Sequence, residues 1–146
     1  MKKIDIIQRQ TLNDIQTCAD IWLEASIMVH HFIDKSIWQG YYSSMVSQYL
    51  PSSDLYLALE SNQILGFAAV TNNKVLEALF IHPIHWRQGI GKQLIDHISQ
   101  IYPVLTLAVY QRNQQAVNFY QQQGFILINS KPCKHTGHTE LILERV

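Results

Sequence analysis

Cysteine is scarce in this chain: Cys18 and Cys133 are the two present, and neither belongs to a CxxC pair. A disulfide framework is therefore not indicated, and both are expected as reduced thiols. An excess of either charge is also lacking, since Lys plus Arg total 11, Asp plus Glu total 11 and the formal net charge is zero. That balance argues against a protein that holds nucleic acid through a strong basic field. No apolar run approaches the ~18 residues of a membrane span. The start, Met1-Lys2-Lys3 followed by alternating apolar and polar positions, lacks the continuous apolar stretch of a signal peptide. A cytoplasmic protein without membrane or nucleic-acid partners is expected. Linkers, repeats and low-complexity segments are absent too, so the 146 residues read as one domain, 1–146, whose 47% apolar content suffices for a core.

Strand and helix signals alternate along the chain. Ile4 to Gln8 reads as a strand. Thr11-x-x-Asp14 resembles a capping box opening a helix with an apolar stripe of Ile15, Cys18, Ala19, Trp22, Ala25 and Val29. A second helix from near Asp34 is predicted to bury some of Ile37, Trp38, Tyr41, Met45 and Tyr49 before Pro51 stops it. Strands follow at Leu55–Leu59 and Ile64–Val70, joined by a hairpin-like Glu60-Ser61-Asn62-Gln63, and a third at Lys74–Ile81 after a turn at Asn72-Asn73. Then come a helix to about Tyr102, a strand Val104–Tyr110, a helix Asn113 to about Gln123, and strands near Phe125–Ile128 and Glu140–Glu144. This alternation predicts one α/β layer structure.

Arg87-Gln88-Gly89-Ile90-Gly91-Lys92 stands between a strand and a helix. A helix start offers unpaired N–H groups and the positive end of the macrodipole, which suits a phosphate. Glycines let the chain turn sharply and let a ligand approach the backbone, and Arg87 and Lys92 bring charge. The segment is no Walker A loop, because Gln93 follows Lys92 and Trp86 stands where the first glycine belongs. Nor is it a dinucleotide fingerprint, because Leu94 stands at the third glycine. Taken alone, Gly-Ile-Gly also fits a plain strand-to-helix turn.

With Leu79-Phe80-Ile81-His82-Pro83 before it and Asn113-x-x-Ala116-x-x-Phe119-Tyr120-x-x-x-Gly124-Phe125 after it, this segment resembles the GCN5-related N-acetyltransferase (GNAT) family, closely over residues 76–128 and in layout over the whole chain. Trp22 to Ile33, ending His30-His31-Phe32-Ile33, is similar to a bacterial, YjaB-like subgroup. The resemblance implies an α/β (α+β) single-domain GNAT fold, a mixed central sheet of about seven strands flanked by about four helices. It implies acetyl-CoA as co-substrate, with pyrophosphate on the amides of residues 87–92 and pantetheine along Leu79, Phe80 and Ile81. Trp86 departs from the usual Gln or Arg, which is expected to modify affinity without abolishing binding. Tyr120 matches the family tyrosine that protonates the departing sulfur, although Phe119-Tyr120 also suits helix packing. Asn113 combines an N-cap with a contact to the cofactor arm, and Gly124 is expected to end its helix in a left-handed conformation.

The base is open between Glu77, whose period-2 partners Val75 and Leu79 are apolar, and His30 or His31, whose imidazole suits base catalysis near neutral pH. Cys133-x-His135-x-x-His138 has zinc-ligand types but only three of them in a polar loop; no metal is expected, and the loop is read as bordering the acceptor site or an oligomer contact. His82 and His85 flank Pro83 and are either cofactor-entrance or solvated residues. Trp38, Tyr41, Tyr42 and Tyr49 read as core, or as an aromatic wall of an amine pocket. The expected activity is direct acetyl transfer to a primary amine of a small molecule or peptide, the alternative a non-catalytic CoA-binding regulatory module. A homodimer is possible on family grounds.

Overall fold

The computed structural model describes residues 3–146. Seven strands form one sheet: β1 (Asp5–Gln8), β2 (Asp54–Glu60), β3 (Gln63–Thr71), β4 (Val75–Ile81), β5 (Leu105–Tyr110), β6 (Ile126–Pro132) and β7 (Thr139–Arg145). Their order is β1-β2-β3-β4-β5-β7-β6, antiparallel throughout except for β4 beside β5. Four helices cover it: α1 (Leu12–Val29), α2 (Lys35–Ser44), α3 (Ile90–Ser99) and α4 (Gln114–Gln122).

Strand alternation divides the apolar residues between two cores. Leu55, Leu57 and Phe67 pack with Ile15, Cys18, Ala19 and Trp22 of α1 on one face. Tyr56, Ala58, Ala68 and Val70 pack with Ile90, Leu94, Ile95 and Ile98 of α3 and Val117 of α4 on the other. The α1 stripe is as predicted, with Ile21 added and Val29 only half-buried. Its capping box is complete: Asp14 N donates to Thr11 Oγ1 (3.1 Å) and Thr11 N to Asp14 Oδ2 (3.0 Å).

Three elements depart from the predicted pattern for identifiable reasons. The second helix does not run unbroken to Pro51; after Ser44 it widens into a π turn, Met45–Tyr49, closed by Leu50 N donating to Met45 O (3.1 Å). The wider turn brings Met45 and Leu50, five apart, onto one buried face, which α-helical geometry does not. β6 extends past Ile128 to Pro132 as an edge strand exposed at all seven positions, so no burial alternation marks it. The helix after the glycine loop stops at Ser99, and Tyr102 instead enters a buried network, donating to Asp54 Oδ2 (2.9 Å) and sharing a bond with the Tyr56 hydroxyl (2.7 Å). Trp38, Tyr41 and Tyr42 are half-buried against the α1 core and Tyr49 is 47% exposed, so the aromatic set lines that core rather than filling it.

β4 carries a bulge. Ala69 pairs with Ala78 but Val70 pairs with Leu76, which leaves Glu77 as the extra residue. Leu76 and Leu79, three apart, therefore both reach the α3 core.

Candidate active site

β4 and β5 run parallel but pair at Val75 and Thr106, with Thr106 N donating to Lys74 O (2.9 Å), and the ladder extends no further. Beyond that point the strands diverge, and a cleft of about 580 Å³ opens between them. Its size suits a small-molecule or cofactor site. Because the two strands sit mid-sheet, the cleft passes from one face to the other. Trp22, Ser26 and Val29 of α1, its C-cap His30 and Trp38 of α2 line one side; Gly89 to Lys92, Asn113, Phe119 and Tyr120 line the opposite side.

The free edge of β4 can be read from its ladder. His82 N donates to Leu65 O (2.8 Å) and Gly66 pairs with Ile81, so by antiparallel alternation Phe80 and Ala78 turn their amides and carbonyls toward β3. Leu79 and Ile81 turn theirs toward the cleft. Trp86 then finds a use: its indole Nε1 donates to Ile81 O (2.8 Å), capping the strand end. The open backbone is that of Leu79 and the N–H of Ile81, whereas Phe80 spends its polar groups inside the sheet and stacks near Phe67, with ring centroids 6.1 Å apart.

The glycine loop uses its two glycines differently. Gly89 is left-handed at φ +76° and forms the N-cap of α3 without a side-chain cap, leaving the amides of Ile90, Gly91 and Lys92 outside the helical ladder. Gly91 makes room instead: a Cβ there would lie 3.2 Å from Phe119 Cζ. Arg87 is also left-handed, at φ +65°, and exposed; the sequence gives no sign of this for a non-glycine residue. Lys92 lines the cleft, and its Nζ pairs with Asp96 one turn on (2.6 Å). Gln88 is exposed and lies outside the cleft lining.

Asn113 caps α4, its Oδ1 accepting from Ala116 N (3.4 Å), and the helix ends on Gly124 at φ +91°. Tyr120 faces the cleft between Phe119 and Phe125, with ring centroids at 5.3 and 5.5 Å. Desolvation alone pushes its phenol upward, so it holds its proton throughout the working range. Packing and cleft roles coincide.

Glu77 lines the cleft, is exposed, and accepts from Thr71 Oγ1 (2.9 Å). The bulge, not the expected period-2 alternation with Val75 and Leu79, sets its position. His30 is 7% exposed at the C-cap of α1, beside Trp38, Tyr110 and Phe32 with ring centroids at 4.9, 5.2 and 5.9 Å. Burial pulls its pKa down to about 4, the Ser26 carbonyl opposing. So buried, the ring is neutral near physiological pH. His31 is exposed and outside the lining.

The three candidate zinc ligands disperse. Tyr110 and Cys133 meet at O···S 3.4 Å, His135 Nδ1 shares a hydrogen bond with the Tyr41 hydroxyl (2.8 Å), and His138 packs on Phe32 at 5.1 Å. This loop fastens β6 and β7 to the α1–α2 side of the cleft. His85 lines the cleft; His82 instead pairs with Glu24 (3.2 Å). Ser26, Trp22 and Glu140 also line it and were not singled out from the sequence, although Trp22, Ser26 and His30 recur every four residues along one stripe of α1.

Residues 24–140 match the acetyltransferase (GNAT) domain family. The chain is 32% identical over 136 residues to the peptidyl-lysine N-acetyltransferase YiaC of Escherichia coli (strain K12), covering 93% of this chain and 91% of that protein. It superposes on the solution structure of apo-form YjaB from Escherichia coli with a TM-score of 0.86 at 26% identity, covering 99% and 98% of the two chains. The PaiA N-acetyltransferase of Thermoplasma acidophilum, in complex with coenzyme A, shares the fold at TM-score 0.78 and 17% identity, covering 98% of each chain. The chain belongs to the GNAT family of acetyltransferases.

Proposed function

We propose that the protein transfers acetyl from acetyl-CoA directly to the side-chain amine of a lysine in a peptide or protein. One observation carries the reading: a single cleft through the sheet joins an uncapped helix start, an open strand edge, Tyr120 and Glu77. The relative named as a peptidyl-lysine N-acetyltransferase supports the acceptor, and the CoA-bound neighbour supports the co-substrate.

Acetyl-CoA supplies the activated thioester. The Ile90, Gly91 and Lys92 amides hold its pyrophosphate at the positive end of α3, with Arg87 adding charge from the loop. The backbone of Leu79 and Ile81 pairs with pantetheine, and the Leu79 N–H polarises the thioester carbonyl. Asn113 orders the start of α4, which carries Tyr120. Glu77 attracts the lysine ammonium and takes its surplus proton, directly or through water. The amine lone pair then forms the C–N bond as the C–S bond breaks. Tyr120 O–H gives its proton to the departing sulfur, and the second proton that the nitrogen sheds as the C–N bond forms returns to the Tyr120 oxygen through water.

The test is acetyl-CoA with a lysine-containing peptide, read as thiol release and as an acetyl mass gain on the lysine. Tyr120→Phe is expected to lower turnover by about 10²–10⁴-fold while CoA affinity holds. Normal turnover in that variant removes Tyr120 from its role. Transfer to small amines but not to the peptide removes the lysine acceptor.

A further inference from the structure

Trp86 stands in the loop between β4 and α3, and no core claims it. It is 36% exposed and belongs to none of the three hydrophobic clusters, although it lines the cleft. Its single polar group, the indole Nε1, donates to Ile81 O (2.8 Å). The backbone around it is lightly held: Trp86 N donates to Pro83 O at 3.3 Å, and the next residue, Arg87, is left-handed and exposed. The ring can therefore leave its place without unpacking a core.

The carbonyl it covers matters. In a strand ladder every second residue turns both its N–H and its C=O to the same side, so the cleft edge of β4 offers the donor and acceptor of Leu79 and then those of Ile81. The last of these, Ile81 O, is the one the indole has taken. A bicyclic ring set against it also fills the space from which a second donor would approach. A backbone carbonyl at a half-buried strand end needs a partner, and the indole supplies one while the edge is empty. The pantetheine arm of CoA carries two amides, each with one N–H and one C=O. An arm running from phosphates at the start of α3 to a thioester at Leu79 passes Ile81 on the way, and its amide N–H suits the carbonyl that Trp86 occupies.

Resting on the acetyl-CoA reading above, we infer that Trp86 is a latch on the cofactor-binding edge: its indole holds the Ile81 carbonyl until an amide of the pantetheine arm displaces it and the ring swings out. Binding then exchanges one hydrogen bond for another, so Ile81 O adds little net affinity. Product CoA carries the same arm, and return of the indole favours its release.

The experiment compares the wild-type protein with Trp86→Phe, which keeps an aromatic ring and loses the N–H. CoA affinity by calorimetry is expected to rise about three- to tenfold in the variant, the scale of one hydrogen bond no longer exchanged. A merely structural indole gives the opposite, a lower melting temperature and weaker binding as the strand end loosens. The 3′-phospho-ADP half of CoA, which lacks the arm, is expected to bind both proteins equally. In the wild-type protein labelled with nitrogen-15, the indole signal missing from the variant is expected to shift and lose its protection from solvent exchange when CoA is added. Equal or weaker CoA affinity in Trp86→Phe, an equal gain for 3′-phospho-ADP, or an indole N–H that stays protected in the complex overturns the latch and leaves the cofactor reading intact. A wild-type protein that binds no CoA species overturns that reading itself, before the variant is measured.

Discussion

Asp14 shows how one side chain can serve a helix start and a tertiary contact together. Its carboxylate accepts from Thr11 N and takes a two-pronged contact from Arg9, Nε at 2.8 Å and Nη2 at 3.0 Å, although Asp14 is only 1% exposed. The Arg9 bonds chiefly, with help from Thr11 and against the cost of burial, hold its pKa at about 2. Below the ordinary aspartate value of ~3.9 the unfolded chain binds the proton more readily, so the stabilisation is complete above about pH 4 and lost as pH falls toward 2. Melting curves from pH 2 to 6 are expected to fall more steeply for the wild-type protein than for Asp14→Asn; parallel curves would show that the pair adds nothing. Thr11-x-x-Asp14 was legible as a cap, but Arg9 as its partner was not. His30 shows the same limit: a histidine at a helix end carries no sequence mark of the burial that lowers its pKa to about 4.

Among the elements, β4 decides the site. Its bulge places Glu77, its alternation leaves Leu79 and Ile81 open to the cleft, and its end is tied by Trp86. Gly66 on β3 lies against it so closely that a Cβ would sit 2.8 Å from Phe80 O and 2.5 Å from Ile81 Cδ1. Gly66→Ala is expected to push β4 toward the cleft, costing about 1–3 kcal/mol and weakening CoA binding together. Thermal melts with and without CoA check this, and loss of stability with full affinity would mean that β4 does not transmit the shift. Gly89→Ala, strained at its left-handed φ, is expected to disturb the α3 start, whereas Gly91→Ala presses on Phe119. Gly91→Glu, which brings negative charge to the amides proposed to hold phosphate, is expected to abolish CoA affinity with the fold retained; unchanged affinity would displace the site from this loop.

For the molecule as a whole, the prediction concerns ligand linkage. A thermal-shift titration with acetyl-CoA, CoA, ATP and NAD in parallel is expected to respond to the two CoA species alone. Ligand at 100 times its dissociation constant adds about 2.7 kcal/mol, roughly 5–10 °C for a chain of this size. A shift with ATP or NAD but not CoA would overturn the cofactor assignment. The succession of strands and helices along the chain and the glycine turn before α3 followed from periodicity, caps and motif, because those signals act over a few neighbouring residues. The π turn, the length of β6 and the left-handed Arg87 did not, because each answers to contacts or backbone constraints that local patterning does not encode. The sequence by itself determined the fold class, the family motifs and the glycine turn that opens α3. Tertiary structure alone decided the cleft: the parting of β4 from β5, the bulge under Glu77, and the closing of Trp22, Ser26, His30 and Trp38 along one wall. Those features depend on which polar groups are left unpaired once the sheet and its two cores have closed, and that pairing is settled across the chain rather than along it.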